Sequence, residues 1–241
     1  MTSTAPAPAQ ATKPTGTTRP EHLIIRLMTP ADTQEVALLF EKTFRREPLG
    51  EYHGVEPGEG TSVAQASVQD PVSFVAEDTT LPGPSRLVAF RTSCISTAEG
   101  LQAKKDRIAK EGHGDAIQAI LNRVSDLWLA KSTVFEKNPK AKVMKFMALG
   151  VDTGYEGKGL AKDLLKVSME KAVEVGCEAV TVVASAFATQ HLFGNRLGFE
   201  LMGRIRYSEF TWINEKTGKE ERPFENLVNP EFLEVYEKKL V

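Results

Sequence analysis

A glycine-rich turn between an apolar strand and a long helix constrains this chain more than any other feature. Val143–Val151 is apolar almost throughout its second half, which is typical of a strand buried in the centre of a sheet. A helix is predicted over about residues 159–175, and it ends before Gly176. The turn between them is Gly154–Gly159, with the sequence GYEGKG. Because glycines let backbone N–H groups face an anion at a helix N-terminus, the turn predicts a phosphate or pyrophosphate cradle.

Two well-known phosphate-binding motifs do not match this turn. A P-loop requires Ser or Thr after Gly-Lys, whereas Gly157-Lys158 is followed by Gly159. The dinucleotide fingerprint Gly-x-Gly-x-x-Gly has the opposite spacing to the Gly-x-x-Gly-x-Gly of this chain. On these residues alone, a glycine-rich turn that binds no ligand stays a competing interpretation.

The order of predicted elements indicates an α/β fold. The apolar patterns predict strands over residues 22–28, 73–77, 86–95, 143–151, 178–184, 199–213 and 232–240, and helices over about 30–45, 102–137, 159–175 and 189–196. Helices alternate with strands only in part of the chain, so a mixed sheet is expected. The sequence therefore predicts a single domain with a mixed central β-sheet flanked by helices, and with a helical insert before the central strand.

The first twenty residues differ in composition from the rest. Residues 1–20 contain no Leu, Ile, Val or aromatic residue, so they are expected to form a disordered tail ahead of a domain over residues 21–241. They also contain no acidic residue and carry Lys13 and Arg19, which leaves an organellar transit peptide as the alternative.

The charge and cysteine content exclude several classes of protein. Lys and Arg number 30 against 32 Asp and Glu, so we expect neither a nucleic-acid partner nor an anionic membrane surface. No apolar run reaches the roughly 20 residues that span a bilayer. Cys94 and Cys177 alone make neither a disulfide framework nor a zinc cage. A cytoplasmic protein without a metal, monomeric or weakly dimeric, is the expectation.

The turn and its surroundings resemble the GNAT superfamily of acetyl-CoA-dependent N-acetyltransferases. Their pyrophosphate loop reads Gln/Arg-x-x-Gly-x-Gly/Ala, and Glu156–Ala161 reads EGKGLA here. Gly150–Asp152 before the loop and Arg196–Phe199 (RLGF) after it add support. Within the superfamily the chain is most similar to the insect and nematode arylalkylamine N-acetyltransferases of the dopamine type, through Arg46–Leu49 (REPL), Val151–Tyr155 (VDTGY) and the helical insert. The resemblance covers roughly residues 22–241.

The resemblance implies acetyl-CoA as co-substrate and a set of residues that bind it. Glu156 replaces the usual Gln or Arg of the loop, and Lys158 and Lys162 can offset its charge. Gly150 lies inside a predicted strand, which indicates a bulge or a close approach of the backbone to a ligand whose thioester carbonyl would accept an N–H. The implied cofactor-binding residues are Leu149, Gly150, Val151, Glu156, Gly157, Lys158, Gly159, Leu160, Ala161 and Lys162.

The resemblance also implies catalytic residues. An alkylamine resembles Lys, with a pKa of about 10.4, so a base must take a proton before the amine can attack. The resemblance gives this role to Glu47, acting through water, and places Ser185 and Thr189 near hydroxyls that assist proton transfer. Without the resemblance, Glu47 reads as a solvated residue at a helix end, and Ser185 or Thr189 as a helix N-cap.

Three other residues are candidates for the same chemistry. An unperturbed His titrates near neutral pH, so His53 and His191 are alternative bases, although a lone His is more often a surface or packing residue. Cys177 is an alternative acyl-accepting nucleophile, although packing is the preferred interpretation. Many GNAT enzymes carry a Tyr that protonates the departing thiolate, and Gly194 stands at the matching position.

The implied function is the direct transfer of an acetyl group to the primary amine of a small arylalkylamine in a ternary complex. Dopamine, serotonin and tryptamine represent this class. A polyamine or protein N-acetyltransferase is the alternative within the enzymes. A non-catalytic acyl-CoA-binding module is the alternative from another class, because function depends on the site and not on the fold.

Overall fold

The computed structural model describes residues 19–83 and 86–240. The tail predicted to be disordered lies outside the described residues, except for Arg19 and Pro20. The Arg19 guanidinium donates a hydrogen bond to the Asp163 carboxylate at 3.0 Å, so the described chain starts against the folded domain. Within the described ranges, no helix is long and apolar enough to cross a membrane.

A mixed sheet of seven strands forms the centre of the domain. Its strands run in the order β1-β2-β3-β4-β5-β9-β6, where β4 and β5 are parallel and all other neighbours are antiparallel. A separate hairpin pairs β7 with β8. The strands are β1 Leu23–Leu27, β2 Phe74–Asp78, β3 Leu87–Ser96, β4 Val143–Val151, β5 Ala179–Ala184, β6 Glu200–Arg206, β7 Trp212–Asn214, β8 Lys219–Glu221 and β9 Phe232–Lys239.

Helices cover both faces of this sheet, as predicted. They are α1 Thr33–Phe44, α2 Pro48–His53, α3 Glu59–Ala66, α4 Ala98–Glu111, α5 Ala116–Lys131, α6 Val134–Lys137, α7 Leu160–Glu174 and α8 Phe187–Gln190, the last continuing as a π-helix over His191–Arg196. Neighbouring residues of one strand point to opposite faces. Val143 packs with α5, whereas Met144 packs with α7. Likewise Val75 packs with α1, whereas Ala76 packs with α7. Helices α4–α6 form the predicted insert before the central strand.

Strands β4 and β5 separate toward their carboxyl ends. Their pairing runs from Val143 opposite Ala179 to Phe146 opposite Val182 and is not continued beyond that point. A register shift on β4 places Phe146 and Ala148 opposite consecutive residues of β3, so Met147 forms a bulge. Because β4 extends to Val151, a cleft opens between the ends of two parallel strands, where α/β folds bind ligands.

Two predicted segments differ from the structure, and two short helices were not predicted. Helices α2 and α3 were not predicted, because Pro48 and Gly58 mark short turns in the sequence, although Pro48 stands at the first helical position of α2. The strand predicted over residues 199–213 is wrong. A 3₁₀ turn at Tyr207–Glu209 ends β6, and β7 leaves the sheet to pair with β8. The helix predicted over residues 189–196 begins earlier, at Phe187.

Candidate active site

The glycine turn forms an open cradle at the N-terminus of α7. Gly157 and Gly159 adopt φ of 75° and 82°, in the left-handed region that favours glycine, and Gly159 is the N-cap of the 15-residue helix. No heavy atom lies within 4 Å of a Cβ built at either glycine. A groove of about 350 Å³ lies against this loop. It is lined by Val151, Tyr155, Glu156, Gly157, Gly159, Leu160, Ala161 and Lys162.

The charged side chains of the loop are held away from its backbone. The Glu156 carboxylate lies 3.4 Å from the Arg46 guanidinium, so a cation offsets the acid that departs from the loop pattern. The Lys158 ammonium lies 4.3 Å from the centre of the Tyr155 ring. The Tyr155 hydroxyl donates a hydrogen bond to Asp78 at 2.6 Å, which fixes the ring beneath the lysine. The backbone amides of the loop therefore remain accessible to an anion.

Leu149, Gly150 and Val151 are the last residues of β4, beyond its pairing with β5, and they pair with β3. Of the three, only Val151 lines the groove beside the glycine loop. The groups that approach Gly150 closely are side chains of the protein itself. A Cβ there would lie 2.4 Å from the Phe90 ring and 2.7 Å from the Thr43 hydroxyl. Packing therefore accounts for this glycine, and the bulge that the sequence indicated at Gly150 occurs instead at Met147.

A cavity of about 180 Å³ lies where β4 and β5 separate. Helices α1, α2, α3, α4 and α5 close its other sides. Thirteen of its twenty lining residues are apolar or glycine, and the seven polar ones are Glu47, Glu59, Lys104, Gln118, Asn122, Lys145 and Ser185. The lining residues are Phe40, Phe44, Glu47, Leu49, Gly50, Gly54, Val55, Glu59, Val63, Lys104, Ile117, Gln118, Leu121, Asn122, Lys145, Phe146, Met147, Ala148, Val183 and Ser185.

Local backbone geometry points Glu47 into this cavity. Pro48 disfavours helical geometry at the preceding residue, and Glu47 has an extended ψ of 144° as the N-cap of α2. Its Oε2 accepts a hydrogen bond from the Leu49 N–H at 3.1 Å, while Oε1 is buried without a partner among the described residues. Burial raises the pKa of Glu47, and the Ser185 hydroxyl and the backbone N–H groups of Gly50 and Leu49 oppose that rise.

The structure separates the two hydroxyl residues that the sequence grouped with Glu47. Ser185 follows the last residue of β5 and lines the cavity. Thr189 lies within α8, where its hydroxyl donates to the Ala186 carbonyl at 2.7 Å, and it does not line the cavity. Neither residue is the N-cap of α8, since Ala186 holds that position.

The alternative nucleophile and bases lie outside the cavity. The His53 ring packs edge-on against Phe224, with centroids 5.6 Å apart. The Nδ1 of His191 pairs with the Asn195 amide at 2.8 Å. Cys177 is buried, and burial raises the pKa of its thiol, which disfavours the reactive thiolate.

Tyr236 explains the glycine at position 194. A Cβ at Gly194 would lie 3.1 Å from the Tyr236 ring and 3.2 Å from its hydroxyl. That hydroxyl donates a hydrogen bond to Glu234, two residues earlier on β9. A side chain at position 194 would therefore be in tight contact with Tyr236, whose ring would have to shift by a few tenths of an ångström.

Two further residues near Glu47 were not found from the sequence. Glu59, at the start of α3, lines the same cavity, and burial raises the pKa of its carboxyl, as do the charges of Asp115 and Glu47. Tyr207 is fully buried, and its hydroxyl has no partner among the described residues. Burial raises the pKa of Tyr207, and the negative charges of Glu47 and Glu234 raise it further. No spacing in the sequence connects either residue with Glu47.

Comparison with known proteins agrees with this geometry. Residues 128–199, which contain β4, the glycine loop and α7, match the Acetyltransferase (GNAT) family. No curated protein sequence matches the chain significantly.

Solved structures of low sequence identity share the whole fold. An arylalkylamine N-acetyltransferase 2 from Aedes aegypti is 23% identical, with a TM-score of 0.68 over 92% of this chain and 100% of that one. A Drosophila melanogaster polyamine N-acetyltransferase that forms N-acetylagmatine is 19% identical, with a TM-score of 0.69 over 90% and 100% of the two chains. A mosquito arylalkylamine N-acetyltransferase-like 5b protein is 17% identical, with a TM-score of 0.70 over 90% and 100%. The family match over residues 128–199 and the shared fold agree that this chain has the fold of GNAT acetyltransferases.

Proposed function

We propose that this enzyme acetylates the primary amine of a small arylalkylamine, with Glu47 as the base. The observation that carries the proposal is a carboxylate with a raised pKa in a mainly apolar cavity, where β4 and β5 separate. A base with a pKa raised toward neutrality takes a proton from an alkylammonium more effectively than an ordinary carboxylate.

The glycine loop fits the pyrophosphate of acetyl-CoA. Both positive-φ glycines face open space, and the N-terminus of α7 supplies backbone N–H groups and a favourable dipole. Lys158 and Lys162 would add positive charge, since Arg46 already offsets Glu156. The chemistry that acetyl-CoA supplies is a thioester that the amine attacks directly. The cleft-side backbone of residues 147–151, unpaired with β5, supports a role for this strand in holding the acetyl and pantetheine groups.

Glu47 has the geometry to take the proton of the acceptor. Its Oε2 is fixed by the Leu49 N–H, whereas its buried Oε1 has a free acceptor site. A bound ammonium, or a water between the two, would satisfy that oxygen. The Ser185 hydroxyl acts on the same carboxyl and is therefore proposed to assist proton transfer. Thr189 is proposed only as support for the start of α8, because its hydroxyl is used by Ala186.

The lining of the cavity favours an aromatic acceptor. Phe40 and Phe44 stack with their ring centres 4.1 Å apart and form one wall. Ile117 and Leu121 of α5 contribute apolar surface to the same cavity. An aryl group would bury its surface against these side chains while its amine faces Glu47.

A polyamine is the second candidate acceptor, and Glu59 is the observation that favours it. A second carboxylate in the same cavity can hold the distal ammonium of a diamine. Burial and the nearby carboxylates of Asp115, Glu56 and Glu47 raise the pKa of Glu59. The ammonium groups of a diamine would offset the repulsion among these carboxylates.

The release of CoA thiol with a panel of amines tests the proposal. The panel contains dopamine, serotonin, tryptamine, spermidine, agmatine, free Lys and a short peptide, and mass spectrometry identifies each acetylated product. Turnover with the aryl amines supports the proposal, whereas turnover with spermidine or agmatine alone would replace it with the polyamine alternative. Binding of acetyl-CoA with no turnover of any amine would support a binding module instead.

A further inference from the structure

Three basic side chains converge beside the cavity of about 180 Å³ that Glu47 lines, which is the acceptor cavity of the proposed function. No acid lies among them. A second cavity, of about 350 Å³, shares Lys104, Lys145 and Val183 with the acceptor cavity and is also lined by Arg107. Lys104 and Arg107 lie about one turn apart on α4, and Lys145 reaches the same space from β4. None of the residues that line this second cavity is Asp or Glu.

These three cations lack a counter-ion in the described structure. None of Lys104, Arg107 and Lys145 takes part in any ion pair found among the described residues. Burial lowers the pKa of Lys104 to about 8, and the positive charges of Lys145 and Arg107 lower it further. Asp126 and Cys94 act weakly in the other direction. Clustered cations of this kind are stabilised by a bound anion.

The acidic groups of the acceptor cavity form a separate cluster. Besides burial, the groups that raise the pKa of Glu59 are the carboxylates of Asp115, Glu56 and Glu47. Neither Glu47 nor Glu59 forms an ion pair with Lys104 or Lys145 among the described residues. The acceptor cavity therefore has an acidic side and a basic side. A molecule that carries only an amine leaves the charge of the basic side without a counter-ion. A molecule that carries an amine and a carboxylate matches both sides.

We propose that Lys104, Lys145 and Arg107 form a carboxylate subsite, and that the acceptor carries a carboxylate a few bonds from its amine. An aromatic amino acid is an arylalkylamine of this kind. The inference rests on the proposed function, since it assigns to the acceptor an amine directed to Glu47. The carboxylate would occupy the space shared by the two cavities, next to Lys104 and Lys145.

Matched acceptor pairs test this subsite. We would measure kcat/KM for tryptophan against tryptamine, tyrosine against tyramine and phenylalanine against phenethylamine. Charge-assisted hydrogen bonds to one carboxylate predict a preference of about tenfold or more for the amino acid of each pair. Lys145→Met and Lys104→Met are expected to reduce that preference about tenfold each, and Lys104→Glu to reverse it. Lys110→Met is the control, because Lys110 is an exposed residue of α4 that lines neither cavity.

The outcomes separate the subsite from the proposed function. A preference for the simple amine in every pair, or a preference for the amino acid that survives both methionine variants, overturns the subsite while leaving the N-acetyltransferase proposal intact. If no amine of any pair is acetylated, the proposed acceptor class fails. The subsite is then decided by calorimetry with indole-3-propionate, a carboxylate without an amine. It must bind the wild-type protein and lose at least about tenfold in affinity in Lys145→Met, with the thermal unfolding of the variant unchanged.

Discussion

Replacing the carboxylate of Glu47 by an amide separates its chemical role from its structural role. Glu47→Gln keeps the shape of the side chain, and the amide oxygen can still accept the Leu49 N–H that Oε2 accepts at 3.1 Å. The N-cap of α2 is therefore retained. The variant loses only the ability to take a proton from the amine, so any large loss of turnover belongs to the base.

We expect kcat/KM of Glu47→Gln to fall by about 10²- to 10⁴-fold, which corresponds to about 3–5.5 kcal/mol of activation free energy. The wild-type rate should rise with pH through the raised pKa of Glu47, because the base must be deprotonated. This rise should be absent in the variant. The assay is thiol release at saturating acetyl-CoA over pH 5–9 with the best amine of the panel.

The stability of the wild-type protein should fall over the pH range in which its activity rises. Burial raises the pKa of Glu47 above its ordinary 4.5, so between these two values the native state binds more protons than the unfolded state. The free energy of unfolding of the wild type therefore falls as pH rises from about the ordinary value through the raised one. Glu47→Gln carries no such penalty, so its stability relative to wild type should increase over this window and then stay constant.

Glu51→Gln serves as the matched control, because Glu51 is an exposed glutamate of the same short helix. It should change neither kcat/KM nor the pH profile. The reasoning about Glu47 is refuted if Glu47→Gln keeps more than about a tenth of wild-type kcat/KM, since the loss expected for a general base is larger. An unchanged pH profile in the variant would refute it equally.

Three further substitutions test other parts of the site. Gly159→Ala forces a side chain into φ of 82°, so we expect a loss of about 1–2 kcal/mol in urea unfolding and weaker binding of acetyl-CoA by calorimetry. Gly150→Ala brings a Cβ to 2.4 Å from the Phe90 ring. It should destabilise the protein by about 1–3 kcal/mol, and unchanged stability would contradict the packing explanation. Tyr207→Phe removes a buried hydroxyl without a partner, so the free energy of unfolding should stay equal or rise by about 1 kcal/mol, whereas a clear fall would show that the hydroxyl is hydrogen-bonded.

The elements with strong apolar patterns could be predicted from the sequence. Strand β4 has the predicted bounds Val143–Val151, and α7 agrees within one residue at each end. Both lie in the buried core, where burial dictates residue type over many positions. The short helices α2 and α3 and the end of β6 could not be predicted, because their local pattern competes with turn signals and with tertiary contacts.

The candidate site could be predicted where the residues are close in sequence. The glycine loop is one continuous segment, so its geometry follows from its residues. Ser185 could be placed near the cleft because it follows a strand, but Thr189, four residues later, turns its hydroxyl to its own helix. Lys104 and Lys145 come from a helix and a strand that are 41 residues apart along the chain, and only the folded structure brings them to one cavity.

The sequence does not show whether a glycine is required by the backbone conformation or by packing, and four glycines of this chain illustrate the difference. Gly157 and Gly159 have positive φ and open space around them, so the backbone conformation itself requires glycine. Gly150 and Gly194 have no positive φ, and the space of their missing side chains is filled by Phe90 and by Tyr236. One residue type thus meets two different physical requirements, a left-handed turn in the proposed pyrophosphate loop and a close contact in the core. An alanine at 157 or 159 strains the backbone and leaves the packing unchanged, whereas an alanine at 150 disturbs the packing and leaves the loop unchanged. The proposed pyrophosphate loop therefore depends on glycine itself at 157 and 159, whereas the proposed role of β4 at position 150 uses only its backbone.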